Sequence, residues 1–177
     1  HAQISKDLEP KLKKISVSDS EVKDYYKKNP EYRTAHILLR LRTEADEKEV
    51  KTIMESTFKI YNEVKQNPEK FSELAARYSQ TTLSGNGGDM GFQPAVRMAP
   101  EYYKAILGKD KGTITPPVRT QFGYHIIKIM AQRDYKDINM DLYKKIVYDS
   151  KRDAILEDYY ADLRKGASIK IEKKNLE

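Results

Sequence analysis

The nine residues SGNGGDMGF, Ser84 to Phe92, decide how the chain folds. They hold four of its eight glycines, followed by an acid, a methionine and an aromatic. A phosphate-binding loop is one reading. A Walker loop must close on Gly-Lys-Ser/Thr, and this one runs into Gly88-Asp89-Met90. A dinucleotide fingerprint follows a strand and opens a helix, whereas here the polar run RYSQTTLS comes first. Asp89 would also repel phosphate. What remains is a backbone that needs positive φ at several positions to turn sharply into a short strand.

Outward from this loop the middle of the chain alternates strands and helices. YRTAHILLRL, residues 32–41, is a short apolar strand bounded by charge. Before it, VSDSEVKDYYKKNPE opens with a Ser18/Glu21 capping box, and Pro30 stops that helix near Asn29. From Thr43 a long helix is expected, with Val50, Ile53, Met54, Tyr61 and Val64 at helical spacing. NPEKFSELAARYS restarts a helix with Asn67 as cap and Pro68 in its first turn. APEYYKAILG repeats the device between Pro100 and Gly108, and TPPVRTQFGYHIIKIM reads as a hairpin turning near Gly123. Beyond Ala131, Leu142, Ile146, Leu156, Tyr160 and Leu163 form one stripe, interrupted by Asp149 and Asp153, on a long helix ending at Gly166. A basic tail, SIKIEKK, follows it. The pattern is α+β, with a compact domain inserted between two pieces of a helical lobe.

Composition narrows the class. With 177 residues, 34% of them charged and 38% hydrophobic, the chain reads as globular, and no apolar run approaches a membrane span. The net charge is +6, but acids and bases alternate, which describes a solvated surface better than a nucleic-acid footprint. Absence of cysteine excludes disulfides, thiolate catalysis and cysteine-bound zinc, and suits an extracytoplasmic chain. The start at His1 reads as a processed or trimmed end.

Two histidines sit inside apolar strands, His36 and His125. A lone histidine there is usually a satisfied core residue, but two on neighbouring strands can bond ring to ring. No further metal ligands lie at recognisable spacing, so no metal and no cofactor are expected, and no Gly-x-Ser-x-Gly elbow exists for serine hydrolysis. Met90 and Met98 read from spacing alone as core filling, and Tyr102 as a surface aromatic.

RTAHILLRL, FSELAARYSQTTLSGNGGDMGF, MAPEYYKAILG and PPVRTQFGYHIIKI, in that order, resemble the parvulin family of peptidyl-prolyl cis-trans isomerases over roughly residues 32–132. The flanks, VSDSEVKDYYKKN and a helix ending LRKGASIKI, are similar to the PrsA/SurA group of extracytoplasmic foldases, in which a helical chaperone lobe accompanies the parvulin domain. The resemblance implies a four-stranded antiparallel sheet wrapped by helices over residues 32–132, flanked by an all-α lobe from residues 1–31 and 133–177. It implies that the family's paired core histidines are His36 and His125, and that Met90, Met98 and Tyr102 form the proline pocket, with Phe122 closing its other side. The histidine pair then has two readings, scaffold or catalyst.

One position departs from the family. Four residues past Arg77, where an aspartate or cysteine is usual, stands Thr81. The resemblance therefore implies an isomerase weakened at that catalytic position. It acts on unfolded or proline-containing polypeptides in the periplasm or cell envelope, as a monomer or as a dimer through the helical lobe. The alternative is a chaperone or binding module that keeps the parvulin scaffold with little catalysis. Acids close behind Arg40 and Arg42 (Glu44, Asp46, Glu47) argue against a phosphorylated substrate.

Overall fold

The structure, a computed structural model, describes residues 2–166. The basic tail lies outside the described residues. The chain forms two compact units, one from residues 26–138 and one from the two chain ends, up to residue 25 and from residue 139 on. The sheet unit thus reaches about six residues beyond each end of the stretch 32–132. The reason is Tyr26. Its hydroxyl donates to the Arg133 carbonyl at 2.7 Å and accepts from the Glu31 N–H at 3.3 Å. The Arg133 N–H in turn donates to the Glu31 carbonyl at 2.9 Å, and its guanidinium lies 4.1 Å from the Phe92 ring centroid.

In the sheet unit, β1 (Tyr32–Arg40), β2 (Asp89–Gln93), β3 (Val118–Thr120) and β4 (Gly123–Gln132) pair antiparallel in the order β2-β1-β4-β3. The two central strands are covered on both faces, which is why β1 reads as a nearly unbroken apolar run. One face carries Ala35, Ile37, Leu39 and Ile126 and buries them against α3 (Glu47–Gln66) and α4 (Phe71–Tyr78) through Ile60, Val64, Phe71, Leu74 and Ala75. The other face sets Tyr32, Ile127 and Ile129 against Tyr102, Tyr103 and Ile106 of α5 (Pro100–Ile106).

Two helix starts differ from the sequence expectation. α3 begins at Glu47, not at Thr43, because the Asp46 carboxylate accepts from the Glu49 N–H at 2.8 Å and fixes the first turn there. Asn67 makes no side-chain cap; Pro68–Lys70 form a 3-10 turn, and α4 starts only at Phe71.

The glycine loop does turn into a short strand. Gly87, Gly88 and Gly91 all have positive φ. At Gly88 (φ 77°) a Cβ would stand 2.2 Å from the His36 carbonyl oxygen, so only glycine lets this loop lie against β1. Gly123 plays the same part at the β3–β4 turn, where a Cβ would stand 2.1 Å from the Leu39 carbonyl oxygen.

In the helical unit, α1 (Ala2–Lys13) packs on α6 (Met140–Gly166), burying Leu8. α2 (Asp19–Lys28) opens with the expected capping box: the Ser18 N–H donates to the Glu21 carboxylate at 2.9 Å, and the Glu21 N–H donates to Ser18 Oγ at 3.2 Å. Of the expected apolar stripe of α6, Ile146 is buried and Leu142 and Leu156 are half-buried. Tyr143, Ile146 and Val147 are buried, with Tyr143 stacked at a tilt on Tyr25, whereas Tyr160 and Leu163 are exposed. Burial follows residues 143, 146 and 147, one position round the helix from Leu142, and fades in the second half.

Candidate active site

His36 and His125 come together because of the register. His36 pairs with Ile127 and Leu38 with His125, so the two histidines are diagonal neighbours on the α5-facing side of the sheet. Their Nδ1 atoms are 3.4 Å apart, so between them they share one proton. His125 Nε2 lies 2.7 Å from the Thr120 hydroxyl, which also accepts from the Phe122 N–H at 3.2 Å. Among the described residues, His36 Nε2 is buried without a hydrogen-bond partner. Burial holds the His36 imidazole down to about 4. Burial first, then the nearby His36 and Arg119, holds His125 down to about 3. Both rings are therefore neutral at pH 7.

Tyr102 wedges against both imidazoles. Its ring centroid is 5.9 Å from His36 and 5.4 Å from His125, edge-on in each case. Only 4% of the residue is exposed, so it forms a floor beneath the site and is no surface aromatic. Its hydroxyl sits 2.9 Å from the Thr34 hydroxyl and donates to Met90 Sδ at 3.5 Å. Met90 and Met98, both half-buried, pack on the same cluster.

Two further expected site residues lie in the turns beside these strands. Thr81 is half-buried, and its hydroxyl accepts from the Leu83 N–H at 3.2 Å, closing the turn before the glycine loop. Phe122 is 53% exposed at the β3–β4 turn, where its carbonyl accepts from the Leu41 N–H at 3.2 Å. Sequence reasoning missed Thr34 and Thr120. Thr34 stands two residues before His36, hence on the same face of β1, and that spacing was the available signal. The arginines at the end of β1 and just beyond it are engaged. Arg40 donates to the Gln80 carbonyl at 2.8 Å, and Arg42 pairs with Glu49 at 2.7 Å. Among the described residues no three histidine or acidic side chains converge as metal ligands, and no helix is long and apolar enough to cross a membrane.

Comparison with known proteins identifies the family. The Rotamase family, the PPIC-type PPIase domain, matches residues 36–131, from one histidine strand to the end of the other. The chain belongs to this parvulin family. The parvulin is 30% identical over 164 residues to the foldase protein PrsA of Staphylococcus epidermidis, covering 89% of this chain and 49% of that one. It is 34% identical over 166 residues to foldase protein PrsA 1 of Bacillus cereus, covering 91% and 53%. The solved peptidylprolyl isomerase PrsA of Bacillus anthracis superposes with a TM-score of 0.58 at 25% identity, over 84% of this chain and 65% of that one. The chain spans about half the length of the curated relatives it matches. Its α+β fold, with a four-stranded antiparallel sheet, is that of these structures.

Proposed function

We propose that the chain is a peptidyl-prolyl cis-trans isomerase that assists the folding of polypeptides outside the cytoplasm, in the periplasm or cell envelope. The observation that carries this reading is the half-buried Met90 and Met98 over the Tyr102 floor, beside two neutral, buried imidazoles. Rotation about an X-Pro bond is slow because the amide must give up its resonance, a barrier of about 18–20 kcal/mol. Lowering it needs no nucleophile. The planar amide is the more dipolar form and loses more than the twisted one when water is removed, so a dry, apolar seat for the proline ring favours the twist. Met90, Met98 and Tyr102 supply that seat. The uncharged imidazole pair keeps its wall from drawing in water, and Thr81 stands in the weakened catalytic position. With Arg40 and Arg42 engaged, the substrate is an unphosphorylated segment.

A protease-coupled assay on a short Ala-Pro peptide tests the reading. Catalysis by the wild type, reduced at least tenfold in Met98→Ala, is the expected result; uncatalysed rates with the intact protein would sink it. One observation favours the second reading, a parvulin scaffold with little catalysis. The Thr81 hydroxyl is already committed to the Leu83 N–H.

The helical unit fits a chaperone or dimerisation surface, because it leaves Tyr148, Tyr160 and Leu163 exposed. Removing residues 1–25 and 139–177 should leave a folded sheet unit that still isomerises short peptides. It should no longer suppress aggregation of an unfolded client, followed by light scattering. Equal protection by the core alone would assign the lobe to packing.

A further inference from the structure

Thr34 and Tyr102 are two buried hydroxyls that satisfy each other, 0% and 4% exposed. They have two protons and three contacts: Thr34 to Tyr102 at 2.9 Å, Tyr102 to Met90 Sδ at 3.5 Å, and Thr34 to Met90 Sδ at 3.9 Å. Sulfur is a weak acceptor, so the shorter approach to it is the one that counts. The arrangement that uses both short contacts has the Thr34 O–H donating to the Tyr102 oxygen and the Tyr102 O–H donating to Met90 Sδ. Reversing the chain would leave the sulfur only the 3.9 Å contact.

We propose that Thr34 is a positioning residue of the proline pocket: its hydroxyl aims the Tyr102 O–H at the Met90 sulfur and so fixes the thioether that the proline ring meets. Methionine has three rotatable bonds and adapts its shape readily, which makes it a poor wall for a small rigid ring unless something holds it. Thr34 is suited to do the holding. Its side chain is β-branched and stiff at χ1, and its strand is the sheet's central, fully covered β1. Tyr102 transmits the constraint, since its ring is already packed edge-on against both imidazoles. A pocket ordered before the substrate arrives loses less freedom on binding. Thr34 therefore acts on substrate affinity, equally in ground and transition states, and hardly at all on turnover.

The inference rests on the reading of Met90, Met98 and Tyr102 as the proline seat, and one experiment separates the two. The full chain is titrated by NMR with a short peptide containing one Ala-Pro bond and with its Ala-Ala counterpart, and kcat and KM are measured for the Ala-Pro peptide. In Thr34→Val, which keeps the shape and loses the hydroxyl, KM and Kd rise three- to tenfold and kcat stays within twofold. Thr34→Ser, which restores the hydroxyl, returns both to within twofold of wild type. In a Met90→Leu background, where no sulfur accepts, Thr34→Val has no further effect on KM. An unchanged KM in Thr34→Val, or the same rise with and without the Met90 sulfur, overturns the positioning role while leaving the pocket intact. Failure of the wild type to distinguish Ala-Pro from Ala-Ala overturns the pocket reading, and the Thr34 role with it.

Discussion

Ile37 and His36 are consecutive on β1 and almost equally withdrawn from water, yet they face different surroundings. Ile37 looks into an apolar layer of Ile60, Val64, Phe71 and Leu74. His36 looks into a cluster whose partners are an imidazole, a phenol and, through that phenol, a thioether. The first face is held by burial alone. The second also buries Tyr32, Tyr103, Ile106, Ile127 and Ile129, adds directed contacts, and tolerates a nitrogen at His36 Nε2 with no partner among the described residues. A buried unpaired polar atom costs stability, which the apolar face has to offset. One strand thus separates the work of folding from the work of the site by the two-residue alternation of its side chains.

The largest effect should come from the apolar face. Ile37→Ala removes most of a fully buried side chain and leaves a cavity among α3 and α4, at a cost of about 2–5 kcal/mol. Urea unfolding followed by circular dichroism measures it. The peptide affinity of the molecules that stay folded should be unchanged. A loss under about 1 kcal/mol would mean that this face is not the one that holds the sheet together.

Acidification should attack the other face. Burial holds both imidazoles below their ordinary range, so on acidifying the unfolded chain takes up protons before the folded one does. Above about pH 6.5 neither state binds them and stability is level. Below that, stability falls by up to about 1.4 kcal/mol per pH unit for each imidazole, towards about 4 for His36 and about 3 for His125. Unfolding between pH 7 and pH 5 should show the slope, and His125→Gln should halve it. A flat profile in the wild type would mean that the pair titrates in the folded chain as it does in the unfolded one, and a rise on acidification that it is charged when folded; in either case the contrast between the two faces would disappear.

How much of this contrast was legible in the sequence depends on the residue. The strands and most helices were, because Pro30, Pro100, Gly108 and Gly123 punctuate apolar runs of the right length. The two faces of β1 were not separable by periodicity, since a strand covered on both sides loses its alternation. His36 stood out only because histidine is rare in such a run. Thr34 and Thr120 did not, because threonine is an ordinary strand residue and its hydroxyl partners lie 68 and 5 residues away. Phe122, expected to close the pocket's other side, is exposed at the β3–β4 turn, and α6 buries Tyr143 beside the expected Ile146 while Leu142 is half-buried. In both, the spacing gave the element and left the direction of the side chain undetermined.

The smallest predicted effect concerns Thr81, which lies between the two regimes, half-buried and beside the strand that carries His36. Gln80, its neighbour, is tied to β1 by a 2.8 Å bond from its N–H to the Leu38 carbonyl and by a 2.7 Å bond from the Arg40 N–H to its side-chain oxygen, so position 81 is held beside the strand that carries His36. Its hydroxyl serves the Leu83 N–H and carries no charge. An aspartate can accept the same N–H, so Thr81→Asp should fold as the wild type does. It adds what threonine lacks, a fixed negative field beside the twisting amide. We expect kcat/KM on an Ala-Pro peptide to rise several-fold, on the order of 1 kcal/mol in the barrier. We also expect the acid slope to become shallower, because a nearby carboxylate favours the protonated imidazole. An aspartate variant slower than wild type, at unchanged stability, would show that a carboxylate here opposes the twist, and one with an unchanged rate that position 81 takes no part in the chemistry; either would overturn the proposed role.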